Sequence, residues 1–322
     1  MIRHILISRT DAIGDVVLTL PLCGLIKKYL PDAKISFLGN SYTKELITAC
    51  TYVDNFVNFS DWANDEIAKQ QLKDLSIDAI IHVFPKKRVA ALASNVNIPV
   101  RIGTRNRVYH WLYCNNLIKL SRKKSDLHEA QLNIKLLKGL KLDINPGLTE
   151  IPTYYGLKPE LILDRGIEGL LGNDKFNLVI HPKSSGSAKE WSLEHYAELI
   201  KSLDPTRYRI FISGSEKEKD ILGHWIQSLE DRVINLTGRF SLAQLLSFIS
   251  KADGLVAAST GPVHLAAAAG IHALGLYPNS SSINAQRWRP IGVKATYIQA
   301  EGGDIDTINP ATVLDKIKHW QK

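Results

Sequence analysis

Sulfur is scarce in this chain of 322 residues, which has three cysteines and one methionine. Cys23, Cys50 and Cys114 lie far apart and form no CxxC pair, so neither a disulfide framework nor a zinc site is expected. The longest mostly apolar run, 265–277, is too short to cross a bilayer. The chain also opens directly on an apolar strand, without the pattern of a signal peptide. These absences predict a soluble globular protein of the reducing cytoplasm.

Acidic residues are missing between Lys86 and Ser125, where ten cations occur. The net charge of +8 is concentrated in residues 1–150, which hold 21 Lys and Arg against 14 Asp and Glu; residues 151–322 hold 19 against 18. A solvated basic face is one explanation, but like charges repel unless an acidic partner binds. The candidates are an anionic lipid surface, an acidic sugar or nucleic acid. Nucleic acid is least favoured, since no recognition-helix or RNA-binding signature is present. The cations are Lys86, Lys87, Arg88, Arg101, Arg105, Arg107, Lys119, Arg122, Lys123 and Lys124.

Short apolar runs alternate with amphipathic segments along the whole chain, which predicts parallel sheets covered by helices on both faces. The first long helix is predicted over 15–29, where Pro31 ends it. The segment 145–159 is rich in proline and glycine and is the predicted linker. We therefore expect two α/β domains, residues 1–150 and residues 151–322.

The stretch 252–278 predicts a phosphate site. An apolar strand over 254–258 meets Ser259-Thr260-Gly261-Pro262, and a helix of small residues follows. Thr260 is expected to cap that helix, and Pro262 suits its first turn. Such a turn directs backbone N–H groups and the positive end of the helix dipole to one spot, which suits a diphosphate. His264 lies one turn into the helix, where it can contact a phosphate or hydroxyl. The alternative is a crossover turn that binds nothing.

The turn Thr10 to Asp15 lacks the glycines of a dinucleotide fingerprint, so a nicotinamide enzyme is disfavoured. Asp15 stands at the start of a helix, where an aspartate commonly serves as an N-cap. The functional alternative is a general base that takes a proton from an attacking sugar hydroxyl. Asp11 is a second candidate for that base, although a supporting role in the turn is favoured.

Three further loops follow predicted strands in the second half. The small residues of 181–191 can wrap phosphate oxygens, and Lys189 adds a positive charge. Glu216 can accept ribose hydroxyls or simply favour the helix dipole. Ser241 is interpreted as the cap of the next helix. Asp304 and Asp306 have the spacing of a metal-binding DxD pair, but we interpret them as structural.

Four segments together resemble the heptosyltransferase family, glycosyltransferase family nine. They are ILISRTDAIGDVVLTLP, HPKSSGSAKEW, LTGRFSLAQL and TGPVHLAAAAG, and they occur in the family order between residues 5 and 278. Ser259 departs from the pattern, because the family usually has aspartate there. The resemblance implies a GT-B fold, in which two Rossmann-like domains face a central cleft. It also implies an inverting transfer that needs no metal or cofactor, with Asp15 as the catalytic base. The residues expected to bind the nucleotide-sugar are Ser184, Ser185, Lys189, Glu216, Gly238, Ser259, Thr260, Gly261, Pro262 and His264.

The expected reaction is transfer of a sugar, by resemblance heptose from ADP-heptose, to the inner core of lipopolysaccharide. The first domain would bind this acidic glycolipid acceptor, and the second the donor. Docking is expected at the cytoplasmic face of the inner membrane. Two alternatives remain open: a family member with another nucleotide-sugar donor, and a catalytically silent nucleotide-sugar binder. The residues expected at the acceptor and membrane are Lys86, Lys87, Arg88, Arg105 and Arg107.

Overall fold

The structure is a computed structural model that describes residues 2–122, 125–184, 186 and 188–322. The chain divides into two compact units, the first ending at Lys158 and the second comprising Pro159–Lys322. Residues 151–158 therefore belong to the first unit, although the predicted boundary lies before them. A 3-10 turn, Ile151–Tyr154, packs there on the helix that contains Gly24, whose missing side chain lets the Tyr154 backbone approach.

The first unit contains a six-stranded parallel sheet and seven α-helices within its described residues. The strands are β1 (His4–Ser8), β2 (Lys34–Gly39), β3 (Asn55–Asn58), β4 (Ala79–His82), β5 (Val100–Thr104) and β6 (Asn116–Ile118). The helices are α1 (Ile13–Val17), α2 (Leu20–Tyr29), α3 (Lys44–Thr48), α4 (Asp65–Asp74), α5 (Lys87–Asn95), α6 (Val108–Tyr113) and α7 (Glu129–Ile134). Further 3-10 turns are Ser41–Thr43, Phe59–Asp61 and Lys135–Leu140.

The prediction of one helix over 15–29 is wrong, because α1 and α2 are separate helices. Pro21 lies in the first turn of α2, where a residue without a backbone N–H is tolerated. Because proline has no N–H to donate, it cannot continue the helical hydrogen bonds of α1 into α2. The break at Leu18 and Thr19 is held by Asn133 of α7, whose amide donates to Leu18 O at 3.1 Å and to Thr19 Oγ1 at 3.3 Å.

The second unit contains another six-stranded parallel sheet. Its strands are β7 (Phe176–His181), β8 (Tyr208–Ile212), β9 (Ile234–Asn235), β10 (Gly254–Ala258), β11 (His272–Tyr277) and β12 (Ala295–Gln299). Its helices are α8 (Arg165–Glu168), α9 (Leu193–Ser202), α10 (Glu216–Gln227), α11 (Leu242–Lys251), α12 (Gly261–Ala268), α13 (Ala285–Trp288) and α14 (Pro310–Ile317). The 3-10 turns are Glu230–Arg232 and Ile305–Thr307.

Both sheets have the same connectivity. The first has the order β3-β2-β1-β4-β5-β6, and the second has β12-β11-β10-β7-β8-β9. Read from β9 to β12, the second sheet has its own third, second, first, fourth, fifth and sixth strands in that order, which is the Rossmann order of the first sheet. The prediction of two Rossmann-like units is therefore confirmed. Each sheet reverses direction at one switch point, between β1 and β4 or between β7 and β10. Ligands of open α/β sheets bind at the carboxyl ends of the strands at this point.

The central strands are buried on both faces, as expected for parallel sheets. β1, β4, β7 and β10 are buried along their whole length. The edge strands β6 and β12 are only partly buried, and sequence patterning did not predict them. Among the described residues, no helix is long and apolar enough to pass through a bilayer.

Candidate active site

Asp15 lies at the switch point of the first unit, in the first turn of α1. The N-cap of α1 is Ala12, which makes no side-chain capping bond. The Asp15 carboxylate instead pairs with the guanidinium of Arg9, and 22% of its side chain remains exposed. Helix capping is therefore not the role of this carboxylate.

Arg9 is the centre of a buried ion-pair network that sequence reasoning missed. Its side chain is 3% exposed, and its Nε lies 2.7 Å from Asp11 Oδ1. A third carboxylate, Glu129 of α7, lies 3.5 Å from Arg9 Nη1 and also pairs with Arg122. Arg122 further donates to Val83 O at 3.1 Å, just beyond β4. The network thus joins β1 and β4, the two strands of the switch point. In the sequence, the only indication of it is a charged residue, Arg9, directly after an apolar strand.

Burial in this network raises the pKa of both aspartates. The pKa of Asp11 rises to about 7 because its carboxyl group is desolvated, while Arg9 opposes the rise. Burial likewise raises the pKa of Asp15, again opposed by Arg9, and Glu129 adds to the rise as a nearby like charge. Since Asp11 and Asp15 interact, they titrate as a pair. A carboxylate of raised pKa is a stronger base, which suits general-base chemistry near neutral pH.

In the second unit, the loop after β7 is closed by Glu190. The Ser184 N–H donates to Glu190 Oε1 at 2.8 Å, and the Ser184 hydroxyl lies 3.0 Å from the same oxygen. Lys183 pairs with Glu190 Oε2. Glu190 was not among the predicted site residues, although it holds the loop in shape. Lys189 is exposed, and Ser185 lies outside the described residues.

The turn between β10 and α12 lies beside that loop, since β7 and β10 are paired neighbours. Thr260 occupies the N-cap position, but the expected side-chain cap is wrong: no capping bond forms. Within the described part of the chain, the buried Thr260 Oγ1 has no hydrogen-bond partner. Ser259 is half-buried at the end of β10, and the Tyr277 hydroxyl donates to Trp288 O at 2.7 Å. His264 is 4% exposed, and Gly261 and Pro262 form the first turn of α12.

Glu216 and Gly238 meet at the carboxyl ends of β8 and β9. A Cβ at Gly238 would lie 2.0 Å from Glu216 Oε2, and the φ of +69° at this glycine is in the left-handed region. Glu218, rather than Glu216, completes the capping box of α10 with Ser215. The Glu216 side chain, 70% exposed, pairs only loosely with Lys219, at 3.3 Å. Its carboxylate is thus not needed for the cap of its own helix.

Two predicted structural roles agree with the contacts. Ser241 caps α11, with its hydroxyl accepting from Gln244 N at 3.2 Å. Asp304 Oδ1 accepts from the backbone N–H of Asp306, and Asp306 accepts from Ser192 N at 2.7 Å. The DxD carboxylates therefore order backbone.

The five predicted acceptor and membrane cations differ in their surroundings. Arg105, Arg107 and Lys87 are exposed. The Lys86 ammonium lies 4.3 Å from the centre of the Phe59 ring. Arg88 donates to Asp65 at 2.8 Å and to Trp62 O, so part of the basic stretch finds its anion elsewhere in the chain. Lys123 and Lys124 lie outside the described residues.

Two Rossmann-like units, each with ligand-type loops at its switch point, define the architecture of a GT-B glycosyltransferase. The family model "Glycosyltransferase family 9 (heptosyltransferase)" matches residues 67–317. The chain therefore belongs to this family and is a glycosyltransferase, as its sequence motifs predicted.

Individual relatives agree with this assignment. Lipopolysaccharide heptosyltransferase 2 of Salmonella typhimurium is 32% identical over 296 residues, which is 86% of this chain and 83% of the relative. Lipopolysaccharide core heptosyltransferase OpsX of Haemophilus influenzae is 23% identical over 85% of this chain and 79% of its own. Among solved structures, Escherichia coli ADP-heptose LPS heptosyltransferase II aligns with a TM-score of 0.77 at 20% identity, covering 98% of this chain and 97% of that one. E. coli heptosyltransferase WaaC with ADP aligns with a TM-score of 0.75 at 19% identity, covering 99% and 100%. These likenesses support the GT-B fold.

Proposed function

We propose that this protein transfers heptose from ADP-heptose to an acidic core acceptor of lipopolysaccharide, with inversion at the anomeric carbon. The observation that carries the proposal is the raised-pKa carboxylate of Asp15 at the switch point of a family 9 chain. The proposal is supported by the relatives of this chain, which include lipopolysaccharide heptosyltransferases, and by its similarity in fold to an ADP-heptose heptosyltransferase and to WaaC with ADP.

The donor site is assigned to the second unit. The N-terminus of α12 offers first-turn N–H groups without intrahelical acceptors, together with the positive end of a helix dipole. The Thr260 hydroxyl and the side chain of His264 lie at this terminus, and Ser184 belongs to the neighbouring loop. Ser185, which lies outside the described residues, is proposed to bind the donor as well. Lys189 supplies a charge for the departing diphosphate. Glu216, whose carboxylate lies against the backbone of Gly238, is proposed to accept the ribose hydroxyls.

Asp15 is proposed to take the proton from the acceptor hydroxyl as that oxygen attacks the anomeric carbon and ADP leaves. One C–O bond forms as the other breaks, so a single displacement inverts the configuration. Arg9 holds the carboxylate in place and Asp11 shares the titration of the pair. The positive charge for the leaving group comes from Lys189, His264 and the helix dipole, so the proposed reaction uses no metal.

The acceptor is assigned to the first unit at the cytoplasmic face of the inner membrane. Lys86, Lys87, Arg105 and Arg107 provide its cationic contacts, and Arg88, already paired with Asp65, contributes least. Charge attraction of this kind works on anionic lipid and on acidic sugars alike. Co-sedimentation that ignores the anionic lipid content of vesicles would overturn the docking role.

The direct test replaces Asp15 by asparagine, which keeps the shape of the side chain and removes the base. Transfer should fall by about 10²- to 10⁴-fold, the range for loss of a general base. Donor binding, measured as the shift of the melting temperature with ADP-heptose, should stay unchanged. Asp11→Asn is the matched control and should keep most activity.

The same pair predicts a pH effect. The acid limb of the kcat/KM profile should move to lower pH in Asp11→Asn, because Arg9, which lowers the pKa of Asp15, is then no longer shared with a second carboxylate. Loss of transfer in Asp11→Asn with activity kept in Asp15→Asn would reassign the base to Asp11.

Ser259 favours one alternative within the same class, a different nucleotide-sugar donor. The family usually has a carboxylate here, whereas serine carries no charge. A melting-temperature panel of ADP-, GDP- and UDP-sugars tests the choice, because a ligand that binds the folded state raises its stability. A larger shift with GDP- or UDP-sugars than with ADP-heptose would reject the proposed donor. Wild-type protein that transfers no sugar from any donor it binds would instead support a silent binder.

A further inference from the structure

The solvent side of α6 carries three large apolar side chains. Val108 is 82% exposed, Trp111 is 60% exposed and Leu112 is 73% exposed. Their spacing of three and four residues places them in one stripe on the helix surface. An exposed apolar stripe of this kind marks an interaction surface more often than a single exposed residue does.

The opposite side of α6 is fixed to the sheet, so the exposed stripe belongs to an anchored helix. His110 is fully buried, and the Thr104 N–H donates to its Nδ1 at 2.9 Å. Gly103 lacks a side chain where one would lie 2.7 Å from His110 Nδ1 and 2.8 Å from Cys114 Sγ. The Trp111 indole donates to Arg105 O at 2.9 Å, which holds the ring on the surface.

Cations border this stripe. Arg105 and Arg107 are exposed in the turn that enters α6, and Lys119 is exposed at the end of β6. No acidic residue occurs between positions 86 and 125. The exposed Ile221 of α10 differs, because acidic and basic residues alternate around it. Apolar side chains bordered by arginine or lysine are the composition of helices that lie in a membrane interface.

We propose that the outer face of α6 inserts into the interface of a bilayer that contains anionic lipid, with Arg105 and Arg107 at the lipid phosphates. The inference deepens the proposed function, on which it depends for the choice of a membrane as partner. In this inference, Val108, Trp111 and Leu112 are the apolar side chains that enter the bilayer, whereas the sequence predicted only a charged contact there. Three side chains on a helix of six residues give weak and reversible binding, which suits an enzyme that moves between acceptor molecules.

The test measures binding of the full chain to vesicles of phosphatidylethanolamine with three tenths phosphatidylglycerol. The double variant Val108→Ser/Leu112→Ser should bind about ten-fold more weakly, from the lost burial of two side chains. Arg105→Gln and Arg107→Gln should each weaken binding by about five-fold and reduce its salt dependence. The matched control Ile221→Ser/Val293→Ser, which removes exposed apolar side chains of the second unit, should bind like the wild type.

Two further measurements separate this inference from the proposed function. The α6 double variant should keep the ADP-heptose melting shift and should transfer sugar to an acceptor stripped of its acyl chains. Vesicle binding by an otherwise inactive wild type, lost in the α6 variant, would reject the proposed function and keep this inference. Unchanged vesicle binding in the double variant would overturn the inference. If that variant also changed from dimer to monomer in sedimentation, a second copy of the chain would be the occupant of α6.

Discussion

The two switch points of this molecule have the same strand connectivity and opposite chemistry. After β1 lies a buried network of two arginines and three carboxylates, whereas after β7 and β10 lie hydroxyls, backbone N–H groups and a helix terminus. The first arrangement adjusts the proton affinity of a carboxylate. The second has donors for an anion. One topology thus places two different sets of residues at the carboxyl ends of its strands, and the fold alone does not determine their chemistry.

The largest expected effect comes from the centre of the charged network. Arg9→Met should destabilise the first unit by about 3–5 kcal/mol, because it leaves buried carboxylates without their cation. Urea unfolding followed by circular dichroism should show an earlier transition for part of the chain. The second unit contains no copy of this network in its described residues. The proposed binding of ADP-heptose, measured as a rise of the melting temperature, should therefore be retained at urea concentrations below that transition.

If Arg9→Met unfolded at the same urea concentration as the wild type, the contrast drawn between the two switch points would lose its basis. That result would mean that the carboxylates are neutral and contribute little as an ion-pair network. Arg88→Met is the matched control, since this arginine pairs with an exposed carboxylate and should change stability by less than about 1 kcal/mol.

Acid should test a feature that the two switch points share. His82 ends β4 and His181 ends β7, and burial lowers the pKa of His82 to about 3 and that of His181 to about 4. Below pH 6.5, about the pKa of histidine in the unfolded chain, the unfolded state binds protons that the buried imidazoles of the folded state do not bind. The free energy of unfolding therefore falls as pH falls. Each histidine should lower the unfolding free energy by about 2 kcal/mol between pH 6.5 and pH 5.

Replacing each histidine separates the two units in this experiment. His82→Leu and His181→Gln should each flatten the acid loss measured by urea midpoints at pH 6.5 and pH 5. Asp11 acts in the opposite direction, because its raised pKa of about 7 lets the folded state gain a proton that the unfolded aspartate lacks in this range. The first unit should therefore lose less stability in acid than the second. An equal loss would contradict this asymmetry.

The smallest effect is expected at Thr260. Its buried Oγ1 has no hydrogen-bond partner within the described residues, so Thr260→Val should leave the melting temperature of the free protein nearly unchanged. If the hydroxyl binds a donor phosphate, affinity for ADP-heptose should fall by about ten-fold, from one lost hydrogen bond to a charged group. Calorimetry of ADP-heptose binding measures this. Unchanged affinity would remove Thr260 from the donor site.

Much of this fold follows from local patterns. Gly254–Ala258 coincides with its predicted bounds, because it is a continuous apolar run that ends at turn residues. The edge strands β6 and β12 were not predicted, because β6 has only three residues and β12 is partly exposed along its whole length. The turns bearing Asp15 and Thr260 were also found, because turn residues directly follow apolar strands.

The contacts that set the site chemistry could not be predicted in the same way. Glu129 meets Arg9 only because α7 folds back on the sheet, and nothing near either residue encodes that meeting. Glu190 was overlooked because it resembles any polar loop residue until Ser184 and Lys183 are seen on its two oxygens. Local sequence thus predicts which turns carry polar residues of the kind that bind ligands. Tertiary packing determines the protonation of those residues and the shape of each turn.

The break between α1 and α2 affects how Asp15, the proposed general base, is oriented. Asp15 sits on a separate piece of five residues, and the joint behind that piece is clamped by the amide of Asn133. The direction of the carboxylate is therefore set from a distant part of the chain. A substitution of Asn133 would therefore change the orientation of the proposed base without altering any residue proposed to bind a sugar.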